Sequence, residues 1–129
     1  MRGEADLPTL LRSLGPVVDD ELYTFATVSE DQPPNLITPL GLFREAEGMS
    51  IICSTKEAET LGLTHEGQFR KITFSIHSSL ATVGLTARVS AALAARGIPC
   101  NIVAAFYHDH LFVPADRAAD ALEILSALA

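Results

Sequence analysis

Two short stretches hold the residue types and spacings that could do chemistry. The first is FYHDH, Phe106 to His110, with Ala105 leading into it. Asp109 can accept from an ammonium or guanidinium group, Phe106 can pack against an aliphatic stem or a cation, and His108 can donate or accept. The second is HSSLATVGL, His77 to Leu85. Ser78, Ser79, Thr82, Val83 and Gly84 stand between a strand pattern and a helix pattern, where unpaired backbone N–H groups and the positive end of a helix dipole converge. That setting suits an anion such as an amino-acid carboxylate, and Gly84 would let it approach the backbone. Each stretch also has a plainer explanation. Thr82 could simply cap the helix while Gly84 eases a tight entry, and Asp109 could be a turn residue bonded to its own backbone.

Other chemistries find less support. His108 and His110 share a face if the segment is extended, a legitimate spacing for metal ligands. The sequence places no third strong ligand, and His65 and His77 have no spacing that ties them to the pair, so no metal is expected. Hydrolysis by a Ser/His/Asp set is not expected either, because no G-x-S-x-G elbow surrounds His77, Ser78 and Ser79. Cys53 and Cys100 lie on separate strand patterns rather than in a CxxC arrangement and read as two buried thiols. The expectation is a protein that is not an enzyme, with no catalytic residues and no cofactor.

The elements that must position these stretches can be read from periodicity. A helix is predicted from about Thr82 to Arg96, with Leu85, Val89, Ala92 and Leu93 on one face and Gly97 as its stop. Ile98 to Phe106 alternates as an inner strand would. Tyr107, His108 and Asp109 form the link of a hairpin, and Leu111, Phe112 and Val113 resume the strand pattern. After Pro114, Ala118, Ala121, Leu122, Leu125 and Leu128 recur at helical spacing. Upstream, a short helix is predicted from about Asp6 to Leu14, ended by a Gly15-Pro16 breaker. A strand follows from Glu21 to Val28, then a loop from Ser29 to Pro39 that contains three prolines. Gly41 to Ala46 and Met49 to Ser54 pair as a hairpin, and Lys56 to Leu61 forms a short helix that Thr55 could cap. The seam between the halves falls at Thr64 to Gln68.

With those elements in place, the run VGLTARVSAALAARGIPCNIV, followed by a strand and a terminal helix, resembles an ACT domain, the small amino-acid-binding regulatory module. HSSLATVGL together with AAFYHDHLFVP is similar to small stand-alone bacterial proteins with two ACT-like halves, to the ACT units of the aspartokinase regulatory tail and to the animal cytosolic arginine sensors. The first half resembles the same proteins through GLFREAEGMSIIC, although a proline-rich connection stands where their first helix would be. The resemblance implies an α+β fold of ferredoxin-like, ACT-type units: antiparallel sheets with helices packed on one face, two halves in one compact body. It also implies that Ser79, Thr82, Val83, Gly84, Ala105, Phe106, His108 and Asp109 form a ligand site. In the arginine sensors an acidic residue in the same turn as Asp109 helps to hold the ligand. Thr82 departs from their acidic residue before the helix glycine, which leaves open a smaller polar or apolar amino acid.

Composition bounds the rest. In 129 residues that are 48% hydrophobic, one moderate core or two small units can be buried. A net charge of −7 repels phosphate backbones and anionic lipid, so neither nucleic acid nor membrane is an expected partner. The opening MRGEADLPTLLRSLG has charges in its first six residues and no continuous apolar stretch, so a cytoplasmic location is expected. The predicted halves are residues 1–66 and 67–129. The second lacks the fourth strand of a ferredoxin-like unit, which the stretch 21–28 or a second subunit could supply, interleaving the halves. The functional expectation is a regulatory module that senses a small molecule by binding a free amino acid between ACT-like units. The alternative is a ligand-free interaction or oligomerisation domain. Under either, a homodimer is expected.

Overall fold

The computed structural model describes residues 7–29, 38–76 and 84–128. They form, in chain order, α1 (Leu7–Arg12), β1 (Pro16–Val18), β2 (Tyr23–Val28), β3 (Gly41–Glu45), β4 (Gly48–Ser54), α2 (Thr55–Thr60), β5 (His65–Phe74), α3 (Leu85–Ala94), β6 (Asn101–Ala104), β7 (Asp109–Pro114) and α4 (Ala118–Ser126), the last preceded by a 3-10 turn, Ala115–Arg117. The chain divides into two compact units, Glu21–Phe69 and a unit made of residues 1–20 and 70–129.

In the C-terminal unit the strand order is β1-β5-β7-β6, with α3 between β5 and β6 and α4 after β7. This is the ferredoxin-like arrangement that the sequence pattern implies. Alternation sends Ile72 and Phe74 of β5 and Leu111 and Val113 of β7 to one face, where they pack with Leu85, Val89 and Leu93 of α3 and Ala121 and Leu125 of α4. The α3 helix ends in a left-handed Gly97, φ +71°, and the Ile98 N–H donates back to the Leu93 carbonyl oxygen at 3.0 Å. That closure explains why β6 starts only at Asn101. Ile98 is buried as the hydrophobic partner of the helix end rather than as a strand residue. Its neighbour β6 lies at the sheet edge, not inside it.

The fourth strand comes from Pro16–Val18, not from the stretch 21–28. Antiparallel pairing joins Pro16 to Phe74, Val17 to Thr73 and Val18 to Ile72. A proline suits this place, because an edge strand does not need every N–H. Gly15 turns the chain into it at φ +56°, and the Ser75 N–H and hydroxyl both donate to the Gly15 carbonyl oxygen, at 2.9 and 2.7 Å. The Gly15-Pro16 pair is thus a turn followed by a strand, as well as a helix stop. Leu10, Leu11 and Leu14 complete the same core beside α3. Lys71 and Asp19, 3.3 Å apart, close the end of the short ladder.

In the N-terminal unit the order is β3-β4-β2-β5, again ferredoxin-like, with the first half of β5 as its last strand. Ala26, Val28, Ile51, Cys53 and Leu63 pack with Ala58 of α2. The cap of α2 is Ser54, one residue before the expected Thr55: the Ser54 hydroxyl accepts from the Glu57 N–H at 3.0 Å. The proline-rich residues 30–37 lie outside the described part of the chain. The strand β3 that follows them is exposed along its length, Leu42 at 53% and Phe43 at 72%.

Candidate functional site

The β6–β7 hairpin turns tightly. The Ala105 N–H donates to the His108 carbonyl oxygen at 3.1 Å, leaving Phe106 and Tyr107 at the tip. Both rings are exposed, 75% and 67%, and meet edge to face with centroids 4.9 Å apart. Asp109 is not in this turn. It is the first residue of β7, paired with Ala104, so a turn residue bonded to its own backbone is not what the sequence placed there. Alternation puts its side chain on the same face as Leu111 and Val113, toward the helices, and only 8% of the residue is exposed.

Burial pushes the Asp109 carboxyl above the ordinary aspartate range, against the opposing pull of His110 and His108. The charged groups that act on it among the described residues are the two histidines, and neither a lysine nor an arginine there neutralises it. His108 Nδ1 is buried and has no hydrogen-bond partner among the described residues. On the opposite face of β7, His110 Nδ1 lies 2.8 Å from the Thr73 hydroxyl. Burial, then the Lys71 ammonium and His108, push the His110 imidazole below its ordinary value, with Asp109 pulling it upward.

That Thr73–His110 contact also fixes where the site lies. Thr73 is one residue from the end of β5 and His110 one from the start of β7, so the hairpin and the exit of β5 toward α3 stand at the same end of the unit. At the start of α3, Gly84 takes φ +94°, and its carbonyl oxygen accepts from the Arg88 N–H at 2.9 Å. A Cβ on Gly84 would lie 3.4 Å from Leu7 Cδ2, so α1 rests against this helix start. Of the expected site residues, Ala105, Phe106, His108 and Asp109 share the hairpin and Gly84 caps α3. Ser79, Thr82 and Val83 lie outside the described residues. Sequence reasoning missed Thr73, whose only signal was its outward place between Ile72 and Phe74, and missed Leu7.

Chemically, the hairpin offers a mostly buried carboxylate, an imidazole with an unused ring nitrogen and two exposed aromatic rings. This combination can hold a cationic group beside an apolar stem. Groups of three or more histidine, cysteine, aspartate or glutamate side chains able to hold a metal are absent among the described residues. No helix among the described residues is long and apolar enough to cross a membrane.

Comparison with known proteins agrees with this architecture. No curated protein matches the chain. Among solved structures, a Vibrio cholerae protein described as of unknown function and a possible transport protein is 37% identical, with 92% of each chain covered and a TM-score of 0.84. An Agrobacterium tumefaciens protein is 20% identical over 87% of this chain and 86% of its own, with a TM-score of 0.72. The ligand-free regulatory subunit of aspartate kinase from Thermus thermophilus is 15% identical over 88% of this chain and 95% of its own, with a TM-score of 0.63. The last two likenesses are of fold. Family models described as ACT domain match residues 2–70 and again residues 66–127, and the chain therefore belongs to the ACT domain family.

Proposed function

We propose that this protein is a small-molecule-sensing regulatory module that binds a free amino acid at the β6–β7 hairpin end of its C-terminal unit. One observation carries the reading: Asp109, 8% exposed and held at the start of β7, has its carboxyl pushed up by burial and no lysine or arginine beside it among the described residues. A ligand ammonium group would compensate that buried charge. His108 Nδ1 supplies a second polar contact, and Phe106 packs against the ligand's stem. The carboxylate end of the ligand goes to the backbone of Ser79, Thr82, Val83 and Gly84, a part of the reading that rests on the sequence pattern before α3. Family membership supports a regulatory rather than catalytic role, as does the likeness to a protein described as a regulatory subunit. In this reading the protein works as a cytoplasmic homodimer, and ligand binding changes association.

The test is a thermal-shift screen of the twenty amino acids followed by calorimetric titration of any that respond. One chemical class should raise the melting temperature by several degrees when present at about 100 times its dissociation constant. Asp109→Asn should weaken that binding roughly tenfold to a hundredfold, as loss of a hydrogen bond to a charged group does. A response that Asp109→Asn leaves unchanged would overturn the site. A flat response to all twenty would favour a second reading, an oligomerisation domain, which the exposed Leu40 before β3 and Leu42 and Phe43 within it support. Phe43→Ser should then dissociate the dimer.

A further inference from the structure

The N-terminal unit has a concavity of its own, where β2 meets β4 and β5. Ala26 and Val28 of β2 point toward α2, so Phe25 and Thr27 point the other way. Across the ladders, Ser50 of β4 stands opposite Thr27, and Glu66 of β5 opposite Phe25. With Ala26, Thr64 and His65 these residues line an open cleft of about 430 Å³, within the range of small-molecule sites. The cleft lies wholly within the unit Glu21–Phe69 and shares no residue with the hairpin of the C-terminal unit.

Its aromatic floor is built by a local irregularity. The β2–β5 register shifts between the Tyr23 and Phe25 pairs, and Gly67 lies in the shift at φ +81°. A Cβ on Gly67 would come within 2.6 Å of the Phe69 ring, so the ring folds back over the glycine. There it meets Phe25 edge to face, centroids 5.0 Å apart and planes at 85°. Irregularities of this kind re-aim side chains, and here Phe69 packs edge to face on Phe25, whose partner across the ladder is Glu66.

The polar lining asks for a donor. Glu66 only accepts, and among the described residues no lysine or arginine lines the cleft. His65 Nδ1 lies 2.9 Å from the Leu63 carbonyl oxygen and donates to it, since a carbonyl oxygen only accepts. The Ser50 hydroxyl already donates to the Glu45 carboxylate, which brings a second negative group to the rim and leaves Ser50 Oγ to accept. A flat ring below and acceptors around it suit a cation with an apolar body. We propose that this cleft binds a small organic amine in its ammonium form, the apolar body lying on Phe25 and the ammonium group meeting Glu66 and the neighbouring hydroxyls.

The experiment is an amide-shift titration of the full chain with 2-phenylethylamine and, in parallel, phenylacetate, which keeps the ring and reverses the charge. The amine should give saturable shifts at Thr27, Ser50 and His65, and phenylacetate none. Glu66→Gln should weaken amine binding about threefold to fivefold, the scale of an exposed carboxylate contact. Thr27→Arg, which fills the rim with a like charge, should abolish it, and Asp109→Asn should leave it intact. Absence of saturable shifts, equal binding of phenylacetate, or loss of amine binding in Asp109→Asn but not in Glu66→Gln would each overturn the proposal. Unperturbed spectra of the free variants exclude unfolding as the cause of any loss.

Discussion

The two units follow the same strand order on very different cores. Among the described residues, thirteen buried side chains from three helices and the inner sheet face form one cluster in the C-terminal unit, whereas six gather around the short α2 in the N-terminal unit. The strand β3 shows the consequence. Leu42 stands opposite Ile51, which is 2% exposed, yet is itself 53% exposed, because nothing among the described residues covers that edge. The same topology can therefore be held by burial in one unit and largely by strand pairing in the other. The smaller described core coincides with an open cleft over Phe25, and the larger with a carboxylate that burial has made costly to ionise.

The largest expected effect tests the core difference directly. Leu93→Ala and Ile51→Ala each remove a fully buried side chain, and such changes cost about 2 to 5 kcal/mol, more where the surroundings cannot collapse. Leu93→Ala is expected at the upper end, near about 4 kcal/mol, and Ile51→Ala at the lower, near about 2 kcal/mol. Urea denaturation at unchanged m-value reads both. Equal losses would break the comparison.

Next in size is Gly67→Ala. It forces a side chain into φ +81° and against the Phe69 ring, an expected loss of about 1 to 3 kcal/mol. In a Phe69→Ala background the clash disappears and only the backbone strain remains, so the double-mutant cycle should show coupling. Independence of the two changes would mean that the ring does not rest on the glycine. A smaller effect, about 1 kcal/mol, is expected for Ser54→Ala, which removes the hydroxyl capping α2. Its measure is faster amide exchange in the N-terminal unit than in α3.

The last prediction concerns pH. Because burial raises the Asp109 carboxyl, the folded chain holds that proton more tightly than the unfolded chain does. The group therefore favours folding most at low pH, and that contribution is lost as pH rises from the unfolded value of 3.8 through the raised folded one. His110 works in the opposite sense: its lowered value means that stability falls as pH drops below 6.5 toward the folded value. Asp109→Asn should accordingly melt higher than the wild type at neutral pH, with the difference vanishing below pH 3.8. If the wild type is the more stable at neutral pH, the carboxylate has a partner that compensates it. A variant that gains stability while losing amino-acid binding would be the expected trade at a binding site.

Much of this fold is legible in the order of the residues. The helical spacing of Leu85, Val89 and Leu93, the Gly97 stop, and the stripe of Ala118, Ala121 and Leu125 mark α3 and α4, because a long amphipathic repeat with a stop signal admits few alternatives. The hairpin of β3 and β4 is equally readable from its central Gly48. The site is less fully legible. The chemical types at Phe106, His108 and Asp109 are visible, but the pattern assigns Asp109 to the turn, since a polar residue between two apolar runs looks the same whether it turns or begins a strand. The fourth strand is hidden for a different reason: three residues that start with proline carry almost no periodic signal.

Local pattern and composition were enough to establish the α+β class, the ferredoxin-like elements, the family resemblance and the acidic character. It took the folded chain to bring Pro16–Val18 into place as the closing strand of the C-terminal sheet, to bury Asp109 on the helix side of β7 while His110 meets Thr73 on the other, and to set Phe69 over Gly67 in support of Phe25. The physical reason is the same in each case. These arrangements depend on which faces and edges a folded sheet brings together, and their free energy comes from that packing, not from any preference that neighbouring residues express.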